Sequence, residues 1–328
     1  MSVSTTSSAA HGAPADTGSG APAGRSARGS EDSSRTVRRL GSGLPFAVPF
    51  LIVAVLFLIA PIVYGLWLSL TEQSLMGNGG WVGLANYAEA LRDPTMWSTL
   101  WHTILFTLMS TIPLVLIALI MALLVYIGIP GQWFWRLSFF APYLLPVAVV
   151  VQIWTWLFNS DVGFINYWLQ QLGLDKVGWL TDVDVAMWSM VILTVWWTVG
   201  FNFLLYLSSL QAIPDLLYEA AEVDGAGFWR KLWSITLPQL RGTTVLVATL
   251  QVIASLKIFD QMFIAFSGGS GPEGSTRPIL QYIYDTGFTN YRMGYASAMS
   301  YIFFIVIIVI TVAFRFLTRS RKETSNER

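Results

Sequence analysis

Cysteine is absent from the 328-residue chain, and only two histidines occur, His11 and His102. The first absence removes disulfide frameworks, thiolate metal sites and cysteine nucleophiles together. The second leaves too few imidazoles for a histidine-based metal centre. Charge is scarce as well: Asp, Glu, Lys and Arg make up 12% of the residues, and 19 basic side chains balance 19 acidic ones. A net charge of zero offers no bulk attraction for nucleic acid. No GxxxxGK[ST] stretch occurs, so the chain has no phosphate loop with which to bind ATP. Most enzyme classes go with these absences.

What is present is apolar. Hydrophobic residues make up 54% and the mean hydropathy is +0.58. That composition belongs to an integral membrane protein. Residues 1–43 stand apart: they are rich in Ser, Ala, Gly, Thr and Arg and have almost no large apolar side chains. Such a segment buries too little surface to offset its ordering entropy, and it reads as a disordered tail. The paired arginines Arg38 and Arg39 lie before an apolar run, Leu44 to Leu70, that is too long for a signal core and has no small-residue cleavage site close behind it. It is a membrane span.

Crossing the hydrocarbon takes about 20 apolar residues in a helix. Six segments qualify: 44–70, 100–127, 137–158, 185–210, 239–266 and 295–317. The expected fold is therefore an all-α membrane domain of six helices over residues 44–318, with a short tail at 319–328. Pro142 and Pro146 fall inside the third segment, which suggests a bundle around a cavity where freed backbone groups find other partners. Lys and Arg then set the orientation. Arg136, Arg230, Lys231, Arg241, Arg315, Arg319, Arg321 and Lys322 lie on the same side as the arginine-rich tail, against only Arg92, Lys176, Arg277 and Arg292 opposite. The positive-inside rule places both termini in the cytoplasm. Loops 71–99, 159–184 and 267–294 then face out, and 128–136 and 211–238 face in.

The inner loop 211–238 contains YEAAEVDGAGFWRKLWSITLP, with Glu219, Glu222 and Asp224 where basic residues would be usual. Its pattern predicts two short helices. The first starts near Pro214 and sets Asp215, Glu219 and Glu222 on one face at i, i+4 and i+7. Gly225 supplies a positive-φ stop. The second helix sets Phe228, Leu232 and Ile235 on one face and closes at Leu237-Pro238. Each is about ten residues, roughly 15 Å, or half a bilayer crossing, so the unit lies at or below the membrane surface. A helix lying on anionic lipid should carry Lys and Arg, yet the first helix carries carboxylates beside small Ala220 and Ala221. A knob that docks another protein, with Glu219 accepting from an arginine, accounts for both features.

These residues carry a family resemblance. Glu219-Ala220-Ala221, three residues, Gly225, nine residues, Ile235, one residue and Leu237-Pro238 resembles the EAA loop of binding-protein-dependent ABC importer permeases. Val82-Gly83-Leu84-Ala85-Asn86-Tyr87, Gly163-Phe164-Ile165-Asn166, Gly178-Trp179-Leu180, Phe259-Asp260, Gly268–Pro272 and Tyr284–Phe288 resemble elements of the carbohydrate type, in particular the upstream subunit of the maltose and glycerol-phosphate kind. The resemblance covers about residues 44–318. It implies the type I importer transmembrane fold, a second related permease subunit, two copies of a cytoplasmic ATPase, an extracytoplasmic solute-binding protein and a sugar substrate. It makes Glu219, Ala220, Ala221, Asp224, Gly225, Ile235, Leu237 and Pro238 the ATPase-coupling residues. No cofactor is expected on this chain, because ATP and Mg²⁺ belong to the ATPase. Many relatives have a proline four residues after the LP proline; here Gly242 stands in that place.

Polar residues at membrane depth are functional candidates. Lys257 and Asp260 read either as a mutual i,i+3 pair or as part of an outer gate. Gln152, Asn202 and Gln251 are amides that line a cavity or join helices, and Trp154 or Trp196 offers a ring face to a sugar. His102 is expected to be a satisfied interface residue. A peptide or amino-acid permease is the near alternative. An ion-coupled secondary transporter would call for buried carboxylate or histidine relays and usually an internal repeat, and the sequence displays neither beyond Asp260.

Overall fold

A computed structural model describes residues 47–74, 76–77 and 79–323. The expected tail 1–43, with the orientation arginines it carries and His11, lies outside the described residues, as do residues 324–328 of the expected C-terminal tail. The chain divides into two compact units, residues 1–62 and 63–328. The described part of the first is helical, with Phe50, Phe57 and Leu58 among its exposed apolar side chains.

Among the described residues the regular structure is helical, with only isolated bridges at Thr71–Trp81 and Ser74–Gly77. We number the helices α1 (Ala47–Ser69), α2 (Ala85–Arg92), α3 (Pro94–Tyr126), α4 (Gln132–Phe140), α5 (Val147–Leu157), α6 (Phe164–Gln171), α7 (Val183–Gln211), α8 (Asp215–Val223), α9 (Phe228–Lys231), α10 (Arg241–Leu256), α11 (Asp260–Ala265), α12 (Ile279–Tyr284) and α13 (Met293–Glu323). Of these, α1, α3, α7 and the Met293–Phe316 part of α13 are long and apolar enough to cross a membrane.

The third and fifth expected spans are not continuous helices. In the third, α4 runs into a 3₁₀ turn at Ala141–Leu144, and the pair Gln132–Leu144 and Val147–Leu157 is bent by 98°. The cause is proline: Pro146 lacks an N–H and drives Leu145 out of the helical region, to ψ 140°. In the fifth, α10 has 16 residues, about 24 Å at 1.5 Å per residue and short of the roughly 30 Å hydrocarbon. It stops at Lys257, and Phe259 lies at φ −152°, ψ −65° before α11 begins. Two other prolines are absorbed instead. A π turn at Val55–Ile59 precedes Pro61, and one at Leu232–Thr236 precedes Pro238. The extra residue of each π turn eases the ring past the preceding carbonyl.

The core follows α3 and α7. Leu114, Ala118 and Ala122 of α3 pack with Phe203, Tyr206 and Leu210 of α7 and Val247 of α10, all buried. Small residues let backbones approach closely in such bundles. Gly200 of α7 is one such close approach: a Cβ there would lie 2.1 Å from the Phe139 carbonyl oxygen. Towards the start of α3 a second cluster gathers Phe106, Val150, Trp154, Met190 and Met262, and a third gathers Leu100, Val252, Met299 and Phe303. The opposite face of α3 leaves Leu108, Ile112, Leu116, Ile120 and Leu124 exposed, an apolar stripe suited to lipid or to another transmembrane chain. Thr99, Thr103 and Thr107 are buried, and each returns its hydroxyl to the carbonyl four residues back, which satisfies them in an apolar setting.

Candidate functional site

Two regions gather the residues that the sequence singled out. The first is the hairpin. Pro214 caps α8 in an extended conformation, and Asp215 lies in the first turn, where a carboxylate favours the helix dipole. The helix ends in a Schellman motif: Ala226 N–H donates to the Ala221 carbonyl at 2.8 Å, and Gly225 N–H to that of Glu222 at 2.9 Å. Gly225 sits at φ +72°, with open space where a Cβ would lie. A larger residue there meets backbone strain rather than a clash. Across the turn, Lys231 Nζ lies 2.8 Å from Glu222 Oε1 and holds that carboxyl below its ordinary range. Tyr218 and Thr236 hydroxyls join at 3.0 Å.

Burial shows how this unit is held. Ile213 and Leu240, on either side of it, are buried in the α3–α7 core. Between them only Thr236 is buried. Glu219 and Ala220 are exposed, and so are Leu216 at 72% and Val223 at 89%. Asp224 caps the first arm, but the expected close of the second at Leu237-Pro238 is corrected: the π turn lets the proline ring pass, residues 237–239 stay helical, and the turn comes at Leu240. Ala221 and Ile235 are half-buried. The hairpin is rooted at both ends and open in between.

The second region is a cavity of about 190 Å³ at the break after α10. Gln251, Lys257 and Asp260 line it, with Thr194, Trp197 and Gln261. A buried polar chain runs behind: Asn202 Nδ2 donates to Gln251 Oε1 at 3.2 Å, Gln251 Nε2 to Ser255 Oγ at 3.0 Å, and Ser255 and Ser110 hydroxyls meet at 2.9 Å. Gln261 Nε2 donates to Thr194 Oγ1 at 2.8 Å. Lys257 and Asp260 share the cavity without forming an ion pair within 4 Å, so the i,i+3 pair is corrected; the helix ends between them and its spacing no longer applies. Gln152 is exposed, away from the cavity. Trp154 is buried against Phe158 and Trp196, at 5.0 and 5.6 Å between ring centres, and does not line the cavity either. His102 Nδ1 is buried with no partner among the described residues, while the ring also meets the Arg277 backbone, so the expected satisfaction of this histidine holds for one side of the ring only. Trp197, Thr194, Ser255 and Gln261 escaped the sequence reading, because hydropathy does not tell which side of a long apolar helix faces the break.

The other sequence motifs serve the connecting loops. Asn86 is buried and donates to the carbonyls of Ser69 and Thr71 at 3.0 and 2.8 Å. Asn166 ties its helix to the following loop through Val177 and the Trp179 indole, at 2.9 to 3.1 Å. Asp93 caps α3 through the Thr95 N–H and accepts from the hydroxyls of Tyr282 and Tyr295. Burial pushes its carboxyl up, but the two tyrosines and the Thr95 and Met96 N–H groups outweigh that and hold it below its ordinary value. Arg292 pairs with Glu89 at 2.7 Å and lies over the Tyr295 ring.

Long apolar helices beside two interrupted ones, a polar cavity at one break and a rooted surface hairpin fit a membrane transport component. Residues 104–323 match the family described as "Binding-protein-dependent transport system inner membrane component", and the chain belongs to that family. It is 31% identical, over 86% of its length and 96% of the relative's, to the probable ABC transporter permease protein YurN of Bacillus subtilis. It is 30% identical, over 86% of its length and 95% of the relative's, to the trehalose/maltose transport system permease protein MalF of Thermococcus litoralis. Its fold matches a chain of a bacterial ABC transporter involved in importing alginate, with TM-score 0.75, 21% identity, and 88% and 99% of the two chains covered.

Proposed function

We propose that this chain is a permease subunit of an ATP-driven importer and carries a carbohydrate across the cell membrane. Both termini lie in the cytoplasm, six membrane crossings are made, two of them as broken helices, and the hairpin within 211–238 is the coupling element. A separate ATPase, present in two copies, holds ATP and Mg²⁺ and receives α8, with Glu219 accepting from a basic group and Gly225 keeping the two arms at a fixed angle. A second related permease completes the pathway, and an extracytoplasmic binding protein delivers the solute. The observation that carries this reading is the hairpin rooted by Ile213 and Leu240 with Glu219, Leu216 and Val223 left open. A surface of that make-up, acidic and apolar at once, fits protein better than lipid.

Support for a carbohydrate comes from two sides. The Thermococcus relative is named for trehalose and maltose. The cavity offers amides, hydroxyls and one indole, which suit sugar hydroxyls and a ring face. The chain's lack of cysteine makes a direct test clean. With Glu219→Cys in the assembled transporter, a short bifunctional reagent is expected to link this chain to the ATPase subunit. A linkage only to itself, or to no protein at all, sinks the coupling role.

A further inference from the structure

The two arms of the hairpin present opposite surfaces, and the second one fits no acidic or apolar protein groove as simply as it fits a membrane. We propose that the second arm, residues 228–236, is a lipid-contact surface seated among anionic phospholipid headgroups. It rests on the placement of the hairpin at the cytoplasmic surface, not on the ATPase contact.

Phe228, Trp229 and Trp233 are 49%, 68% and 67% exposed, and the two indoles are one helical turn apart. Tryptophan is the side chain that settles at the membrane interface, with an apolar body and a polar tip. Arg230 between them and Arg241 just beyond are exposed, and neither forms an ion pair among the described residues. Lys231, by contrast, is engaged by Glu222. Exposed aromatic rings interleaved with unpaired arginines complement a layer of anionic headgroups. The first arm is its opposite: Asp215, Glu219 and Glu222 would be repelled there. Helix α4, on the other connection expected to face the cytoplasm, repeats only the aromatic part of the pattern, with Trp133 and Phe134 exposed at 72% and 52%, while its Arg136 is half-buried and donates to Gln132. Since the Schellman turn and the Tyr218–Thr236 and Lys231–Glu222 contacts lock the arms together, lipid seating of the second arm sets the height at which the first is offered.

The full chain, reconstituted in phosphatidylcholine vesicles containing phosphatidylglycerol, tests this with nitroxide labels on Trp233→Cys and, separately, Trp229→Cys and Glu219→Cys. The labels at 233 and 229 are expected to be relaxed by oxygen and shielded from a water-soluble nickel chelate, while the label at 219 shows the reverse. Adding Arg230→Gln is expected to lower the ratio of seated to lifted label about fivefold, from about 1 kcal/mol per basic residue near an anionic surface. Chelate access at 229 and 233 equal to that at 219 overturns the proposal. So does shielding of both from oxygen and chelate alike, which means that protein covers the face. Label depths that ignore both Arg230→Gln and the removal of phosphatidylglycerol overturn the anionic assignment. The cross-link at 219 reads the ATPase contact independently.

Discussion

The loops expected to face outward and the hairpin expected to face inward are built on opposite terms. Outward, polar groups are spent inside the chain. Asn86 answers two carbonyls, Asn166 answers a carbonyl, an N–H and an indole, and Asp93 answers two tyrosines and a helix start. Inward, only the turn and the joint between the arms are satisfied internally, and the carboxylate of Glu219 and the apolar surface of Leu216 and Val223 face away from the chain. A polar group that already has its partners holds a fold together, whereas one held exposed on a rigid support is free to bind. Motif residues on the two sides thus do different work, although both are polar residues in loops.

The comparison breaks first at Glu219. Glu219→Ala is expected to leave thermal unfolding of the isolated chain within about 0.5 kcal/mol, as for other exposed positions. Solute-stimulated ATP hydrolysis by the assembled transporter should fall about 30-fold, from roughly 2 kcal/mol for truncating one partner of a desolvated charge pair. The reverse pattern is expected of Asn86→Leu. It leaves two buried carbonyls without their donor and should cost about 3 kcal/mol in thermal unfolding, with hydrolysis per folded molecule little changed. If both variants lower stability and activity alike, the division between the two regions fails.

Gly225 sharpens the picture within the hairpin. Because its Cβ position is open and only φ is unusual, Gly225→Val should cost about 1–2 kcal/mol of hairpin order while Gly225→Asn costs much less. Amide exchange across 220–228 reads the difference, and equal loss in both variants points to a contact instead of a conformation. The smallest expected effect concerns pH. Asp93 is held below its ordinary value of 3.8, so its clasp contributes fully above that value and is lost as pH falls through the lowered one. Tyr282, pushed up to about 12 first by burial and then by its bond to Asp93, keeps its proton well past its ordinary value of 10.0, and that contribution fades only as pH rises from there toward 12. Limited proteolysis of loop 267–294 should therefore stay flat from neutral pH down to about 4 and rise below it. With Asp93→Asn the acid step should vanish.

Much of this protein was legible without coordinates. The four long apolar runs appear where the hydropathy places them, since a helix in lipid must satisfy every backbone group by itself. The Pro214 start, the Gly225 stop and the two arms followed from local rules of capping and positive φ, which act within a few residues. Tertiary structure decided the rest. Nothing local says that α10 stops at Leu256, that Lys257 and Asp260 part at the break, or that Trp197 rather than Trp154 reaches the cavity, because those outcomes depend on which faces of α3, α5 and α7 are already packed. The same holds for Asp93, whose two tyrosine partners lie 189 and 202 residues away along the chain. Periodicity and capping are carried by neighbours in sequence; cavities and clasps are made by neighbours in space.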